Sequence, residues 1–211
     1  MRTLIITMLL LASTVFIHAQ IKAVTETGDE VFLYQDGTWK YLAETGATDE
    51  SESKTNETVF TRDKASTFLK KSKRANVVVW INTKIRSLTN NPTNEDAEIQ
   101  VEKRTGDIYA MLITEKIQIP LESFKSIALQ NAKNAAPDIK IIKDEYRNVN
   151  GKKVLMLQMS GTVQGIKVVY FGYYYSSEKG TTQLISYTGE NLFKAHMTEM
   201  EVLLNGLVET E

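Results

Sequence analysis

Tyrosines and carboxylates carry whatever chemistry this chain of 211 residues can do, because its sequence has no cysteine and only two histidines. Without cysteine there can be no disulfide, thiolate nucleophile or thiolate metal site. His18 lies in an apolar N-terminal segment, and His196 lies in a predicted helix with Glu199 one turn away. A metal site needs several converging ligands, and a Ser-His triad needs more than an isolated histidine. We therefore predict a partly buried, structural His196, no catalytic residue, and no metal or cofactor site.

Paired carboxylates are the remaining route to an enzyme. Glu115 is predicted at a strand end beside Lys116, and on another strand Asp144 and Glu145 precede Arg147. Two close carboxylates could do acid–base work. Charged residues at strand ends more often form solvated ion pairs. The sequence also contains no Gly-x-Ser-x-Gly, P-loop or dinucleotide fingerprint. The chain is therefore predicted not to be an enzyme.

A cluster of tyrosines is the most distinctive feature of the sequence. Its members lie on one predicted strand and on two others: Tyr170, Tyr173, Tyr174 and Tyr175, with Tyr109 and Tyr187. Strand alternation places Tyr173 and Tyr175 on one face, and Tyr170 and Tyr174 on the other. Tyrosine suits binding surfaces because it joins a large apolar ring to a polar tip. The favoured interpretation is core filling beneath helices, and the alternative is a ligand groove. Gly172 among these bulky neighbours indicates a bulge or a close backbone approach.

The elements that must position these residues form a main domain predicted over 59–211. One helix is predicted to start at Pro120, because the residues after this proline are apolar at helical spacing, and to end before Pro137. A second helix covers 190–205, with Gly206 as its C-cap. A third, short helix is predicted over 63–74, with Asp63 as its N-cap. The predicted strands are 77–81, 97–103, 107–114, 139–149, 153–162, 166–176 and 181–188.

Two of these strands are apolar on both faces, which indicates a sheet covered on both sides. They are Val154–Met159 and Val168–Tyr175 in the printed sequence. Asn150-Gly151, a type I′ hairpin dipeptide, and Gln164-Gly165 join consecutive strands. We therefore predict an α+β fold, an α/β/α sandwich around a mainly antiparallel sheet.

A small β unit is predicted over 20–42, before the main domain. Its strands alternate, and Asp36-Gly37 is a strong hairpin signal. The stretch resembles a short motif containing "DGTW" that follows the signal peptide of many bacterial exported proteins. Residues 43–58 are polar and acidic with no apolar periodicity, so they are predicted to be a flexible linker.

The N-terminus is predicted to be a cleaved export signal over residues 1–19. Arg2 precedes an uncharged apolar run at 4–17, and cleavage is expected after Ala19. The run is shorter than the ~20 residues of a comfortable membrane span, although an uncleaved anchor is the alternative. The expected location is the periplasm or the extracellular space, with no stable membrane span after cleavage.

The charge of the chain limits its partners. The net charge is −1, whereas general nucleic-acid binding needs a basic surface. Nucleic acid is therefore not an expected partner. Because the chain is predicted to be exported, the expected partner is an envelope protein or a small ligand. The candidate ligand- or partner-binding residues are Tyr170, Tyr173, Tyr175, Tyr109, Arg147 and Glu115.

The main domain resembles the Mog1p/PsbP-like superfamily. The features that carry the likeness are the central helix at 121–135, the hairpins at 146–151 and 161–165, the aromatic strand at 170–175, and the strand at 183–188 before a terminal helix. The resemblance implies an α/β/α sandwich and a binding or assembly factor, with no residue-level site carried over. We expect an exported, non-enzymatic binding or accessory module. The alternatives are a carboxylate-dependent hydrolase and a purely structural envelope domain.

Overall fold

The structure is a computed structural model that describes residues 21–25, 30–33, 39–41, 53–89, 92 and 94–210. The predicted export signal at 1–19, the Asp36-Gly37 turn and the linker segment 43–52 lie outside the described residues. The elements in chain order are β1 (Ile21–Val24), β2 (Glu30–Leu33), β3 (Trp39–Tyr41), β4 (Lys54–Phe60), β5 (Phe68–Lys71), β6 (Val77–Ile81), β7 (Arg86–Leu88), β8 (Ala97–Lys103), β9 (Tyr109–Glu115), α1 (Leu121–Ala135), β10 (Lys140–Val149), β11 (Lys152–Val163), β12 (Ile166–Ser177), β13 (Gly180–Gly189), α2 (Glu190–Leu204) and β14 (Leu207–Glu209).

An eight-stranded sheet in the order β4-β10-β11-β12-β13-β9-β8-β7 forms the centre of the main domain. Its pairs are antiparallel except for β4 and β10, which run parallel. Asn150 and Gly151 both have positive φ at the β10–β11 turn, as do Gln164 and Gly165 at the β11–β12 turn. These left-handed pairs are the primed turns that match the twist of two hairpin strands, so both turn predictions are confirmed.

The two faces of this sheet carry separate apolar clusters. Helix α1 covers one face, where Phe124 packs near Leu157 and Tyr174. Helix α2 and a second sheet, ordered β14-β6-β5, cover the other face, where Met200 and Tyr173 are buried. The predicted α/β/α sandwich with a mainly antiparallel sheet is confirmed, and the second sheet is an addition to it. Residues 21–24, 30–33 and 39–41 form the small antiparallel sheet predicted near the N-terminus.

Helix α2 is held on its face by buried charge. The Arg86 side chain on β7 is 2% exposed and donates a hydrogen bond of 2.7 Å to the Glu199 carbonyl oxygen. The Glu199 carboxylate accepts a 2.7 Å bond from Lys103 and lies 3.6 Å from the Arg86 guanidinium. A buried guanidinium is costly without a counter-charge, so Glu199 fixes α2 to the β7–β8 edge of the sheet.

Three local predictions were wrong. The stretch 54–58, predicted as the end of the linker, belongs to β4, whose polar residues suit an edge strand. The stretch 63–74 is not a helix: the Asp63 carboxylate accepts the Ala65 N–H in a turn, and β5 follows. Asp favours this turn for the same reason that it favours a helix start, since its side chain bonds a nearby backbone N–H.

Gly206 is the third correction. Its φ is not positive, so it does not end α2 as a left-handed cap. A Cβ there would lie 2.3 Å from the Trp80 carbonyl oxygen, and the Trp80 N–H donates to the Gly206 carbonyl. Only glycine fits this approach, because the chain leaves α2 directly against β6 and continues as β14, a strand that the sequence did not predict.

Candidate functional site

A groove of about 440 Å³ lies between helix α1 and the central sheet. Its wall on the helix side is formed by Ala128, Asn131, Ala132, Asn134 and Ala135, and a turn before β8 contributes Asn94 and Asp96. Its floor comes from β9, β11, β12 and β13: Met111, Ile113, Glu115, Met159, Tyr170, Tyr174, Gln183 and Ile185.

The sequence of α1 explains why the groove is open. The first half of the helix buries Phe124, which packs against the Tyr174 ring at 5.6 Å between centroids. The second half presents alanines at helical spacing, such as Ala128 and Ala132. Methyl side chains leave a gap that larger residues would fill, because helix–sheet contact depends on side-chain volume.

The strand register sets the shape of the floor. Glu115 lies beyond the row formed by Ile113, Gln183 and Tyr174, and Tyr170 lies in the row of Tyr187 and Tyr109. These two ends are about 20 Å apart along the sheet, since a strand rises about 3.4 Å per residue. Between Tyr170 and Tyr174, Gly172 keeps the floor low; a Cβ there would lie 3.2 Å from Ile185 Cγ1. The predicted close approach at this glycine is confirmed.

Several polar side chains of the groove make no hydrogen bond to a described residue, although Asn94 donates to Met111 Sδ and accepts the Asp96 N–H. The Tyr174 side chain is 1% exposed, yet its hydroxyl makes no hydrogen bond to any residue in the described part of the chain. Burial alone raises the pKa of this phenol and, less strongly, that of Tyr170. The half-buried Gln183 also makes no side-chain hydrogen bond within the same described ranges. Buried polar groups are normally paired, so unpaired ones lining a cavity indicate room for water or a ligand.

The opposite face of β12 shows the reverse condition. The Tyr173 hydroxyl, in a side chain that is 0% exposed, accepts a 2.9 Å bond from Arg147 Nη1 and donates a 2.9 Å bond to Asn205 Oδ1. Arg147 also bonds Glu145 at 2.6 Å and Glu201 at 2.5 Å. Burial raises the pKa of Tyr173 to about 12, against the opposing effect of Arg147. This network joins the end of α2 to the sheet and engages the Tyr173 hydroxyl as both donor and acceptor.

The six candidate residues are therefore divided between the two faces. Tyr170 and Glu115 line the groove. Tyr109 continues the aromatic row at the groove's end, where its ring stacks on Tyr187 at 5.4 Å. The α2 face holds the other three, Tyr173, Tyr175 and Arg147. Burial raises the pKa of the Tyr175 phenol, and the nearby Glu209 carboxylate raises it further.

The alternation of the tyrosines agrees with the prediction. Core filling describes Tyr173 and Tyr175 on one face, and it also describes Tyr174 on the other face, where its ring packs against Phe124 beneath α1. The ligand groove stays a prediction; the opening lies beside Tyr170 and Tyr174, and Tyr174 was not among the candidate residues. The groove's amides and Asp96 were also missed; the alanines of α1 are the signal in the sequence that points to an opening beside them.

The carboxylates do not form an acid–base pair in the described part of the chain. Asp144 forms an ion pair with Lys125 at 3.2 Å, and Glu145 pairs with Arg147. Glu115 and Asp96 lie at the groove and make no ion pair with any described residue. No group of three His, Asp or Glu side chains that could hold a metal ion occurs among the residues described. His196 is half-buried on α2.

Within the described ranges, no helix is long and apolar enough to cross a membrane.

A second, smaller cleft of about 100 Å³ lies where β1 meets the outer side of α1. It is lined by Lys22, Ala23, Val24, Ile127, Gln130 and Asn131. Asn131 therefore borders both this cleft and the groove.

A covered antiparallel sheet with one helix on each face is the arrangement of the PsbP-like fold, and comparison with solved structures confirms that resemblance. Cyanobacterial PsbP (CyanoP) from Synechocystis sp. PCC 6803 matches with a TM-score of 0.51 at 10% identity, covering 69% of this chain and 93% of that one. At this identity the likeness establishes the fold alone.

Two further solved structures are similar at lower scores. A Pseudomonas aeruginosa protein of unknown function, described as a putative regulator, has a TM-score of 0.44 at 14% identity, covering 68% of this chain and 97% of its own. LpqN, involved in cell envelope biogenesis of Mycobacterium tuberculosis, has a TM-score of 0.38 at 15% identity, covering 72% and 82%. No protein-family model matches the sequence. No curated protein matches it either.

Proposed function

We propose that this protein is an exported, non-enzymatic binding module that holds a small ligand in the groove between α1 and the sheet. The observation that carries the proposal is Tyr174: its side chain is buried, its hydroxyl makes no hydrogen bond to the described residues, and it lines the groove. The volume of about 440 Å³ falls within the size of small-molecule sites. The N-terminal sequence pattern supports export.

The groove combines an apolar floor with a few unpaired polar groups, which is the composition of a small-ligand site. Met111, Ile113 and Ile185 supply apolar contact, and Gln183 and Tyr174 supply hydrogen-bonding groups in the same row of the floor. Glu115 and Asp96 lie at the groove, whereas Asp144 and Glu145 are engaged in ion pairs with Lys125 and Arg147, and this separation supports binding over a carboxylate-dependent hydrolysis.

A fragment screen by methyl NMR tests the proposal directly. The protein is labelled at Met and Ile methyls and titrated with a library of small polar-headed fragments. Binding fragments should shift Met111, Ile113 and Ile185. The Ala132→Trp variant should lose these shifts because the indole fills the groove, whereas Lys133→Trp, one residue along on the exposed side, should keep them. The proposal fails if no fragment shifts the groove methyls, or if the shifts survive in a folded Ala132→Trp protein.

A further inference from the structure

The charges at one end of the groove distinguish that end from the rest of its lining. Glu115 closes β9, and Asp96 immediately precedes Ala97, which pairs with Ile113 two residues before Glu115. The two carboxylates therefore lie on neighbouring strands at the same end of the groove. Both are exposed, and neither has an ion-pair partner in the described chain.

No lysine or arginine side chain lines the groove as described. An anionic ligand would be repelled by two carboxylates and would meet no counter-charge in the groove lining. A neutral ligand would gain no charge–charge attraction from them. A cation alone gains attraction from both. Tyr174, which is 1% exposed and makes no hydrogen bond to a described residue, lies one row further along the floor of the groove.

We propose that the groove selects a primary amine with an apolar body, its ammonium held at Asp96 and Glu115 and its chain lying along Ile113, Ile185 and Met111 towards Tyr170. This inference rests on the proposed function and adds the charge of the ligand. The apolar floor of about 20 Å along the strands accommodates an extended chain. The apolar side chains beside the two carboxylates favour an organic cation over a strongly hydrated metal ion, because an alkyl chain gains from burial on them.

The test compares two ligands of equal length and opposite charge, octylammonium and octanoate, by calorimetric and methyl-NMR titration at low salt. Octylammonium should bind about ten-fold or more tightly than octanoate. Each carboxylate should contribute about five-fold, because two unit charges about 4 Å apart in water attract by about 1 kcal/mol. The preference should shrink as ionic strength rises from about 10 mM to about 0.3 M.

Glu115→Gln and Asp96→Asn should each weaken octylammonium binding and leave octanoate unchanged or slightly improved. Both side chains are exposed, so the variants should fold normally. Glu122→Gln is the matched control, because Glu122 is an exposed acid on α1 outside the groove. Its affinity for octylammonium should equal that of the unaltered protein.

Equal affinity for the two ligands, or full octylammonium affinity in the double variant, overturns the inference while leaving the groove a binding site. Failure of both ligands, in a protein whose groove methyls respond to other fragments, also overturns it. Failure of every fragment as well as both ligands overturns the proposed function itself.

Discussion

Tyr173 and Tyr174 are adjacent on β12 and almost fully buried, but their hydroxyls lie on opposite faces of the sheet and differ in their contacts. Substitution of each by phenylalanine removes one oxygen atom from one face at a time. The Tyr173 hydroxyl bonds Arg147 and Asn205. Tyr173→Phe should therefore lower the free energy of unfolding by about 2–3 kcal/mol, the usual cost of removing a buried bond to a charged group. Tyr174→Phe should change it by less than about 0.5 kcal/mol or raise it, because no hydrogen bond to a described residue is lost.

Urea denaturation followed by circular dichroism measures both variants under one condition. The side chains are 0% and 1% exposed, so the effects of ring burial cancel between them. The slope of unfolding free energy against urea should stay constant, which shows that the surface exposed on unfolding is unchanged. An equal loss of unfolding free energy in the two variants, or a larger loss for Tyr174→Phe, would refute the view that only the Tyr173 hydroxyl makes stabilising hydrogen bonds.

Three further substitutions test the packing around α2. Glu199→Ala should lower the unfolding free energy by about 3–5 kcal/mol, since it leaves the buried Arg86 guanidinium without its counter-charge; thermal melts would show this. Gly206→Ala should cost at least about 1–3 kcal/mol because the new Cβ would collide with the Trp80 carbonyl oxygen, and a melting temperature equal to that of the unaltered protein would contradict the contact. Burial and Glu209 raise the pKa of Tyr175 to about 12 from its ordinary 10, so the stability it contributes below pH 10 is lost as the pH rises through 12. The urea midpoint should fall across this interval, and less steeply in Tyr175→Phe.

The sheet could be predicted because its signals are local. Asn150-Gly151 and Gln164-Gly165 fix turns by their positive φ, and β11 and β12 are apolar on both faces because both faces are covered. Alternation along β12 then assigned each tyrosine to its face. These inferences need only the chain neighbours of each residue.

The remaining features depend on contacts between distant parts of the chain. β4 is a strand because β10 accepts it at the sheet edge, with Asn56 donating to Glu145 at 2.9 Å; its own sequence is polar. Asp63 signals a turn and a helix start alike. The groove arises from the small side chains of α1 placed over the tyrosines of β12, and the sequence alone does not give that registration.

The tyrosines on the two faces of β12 differ in how they are hydrogen-bonded to the fold, and this difference has a consequence for how the protein can evolve. On one side of the strand, residues such as Tyr173 are tied to charges on two other elements, so a substitution there is selected against through loss of the fold. On the other side, Tyr170 and Tyr174 contribute ring packing, but their hydroxyls and the neighbouring amide of Gln183 make no hydrogen bond within the described part of the chain. Mutations at those polar groups can change the chemistry of the groove while the fold is retained, because removing them breaks no hydrogen bond to a described residue. Descendants of one ancestral scaffold can thus diverge in ligand while their architecture stays the same.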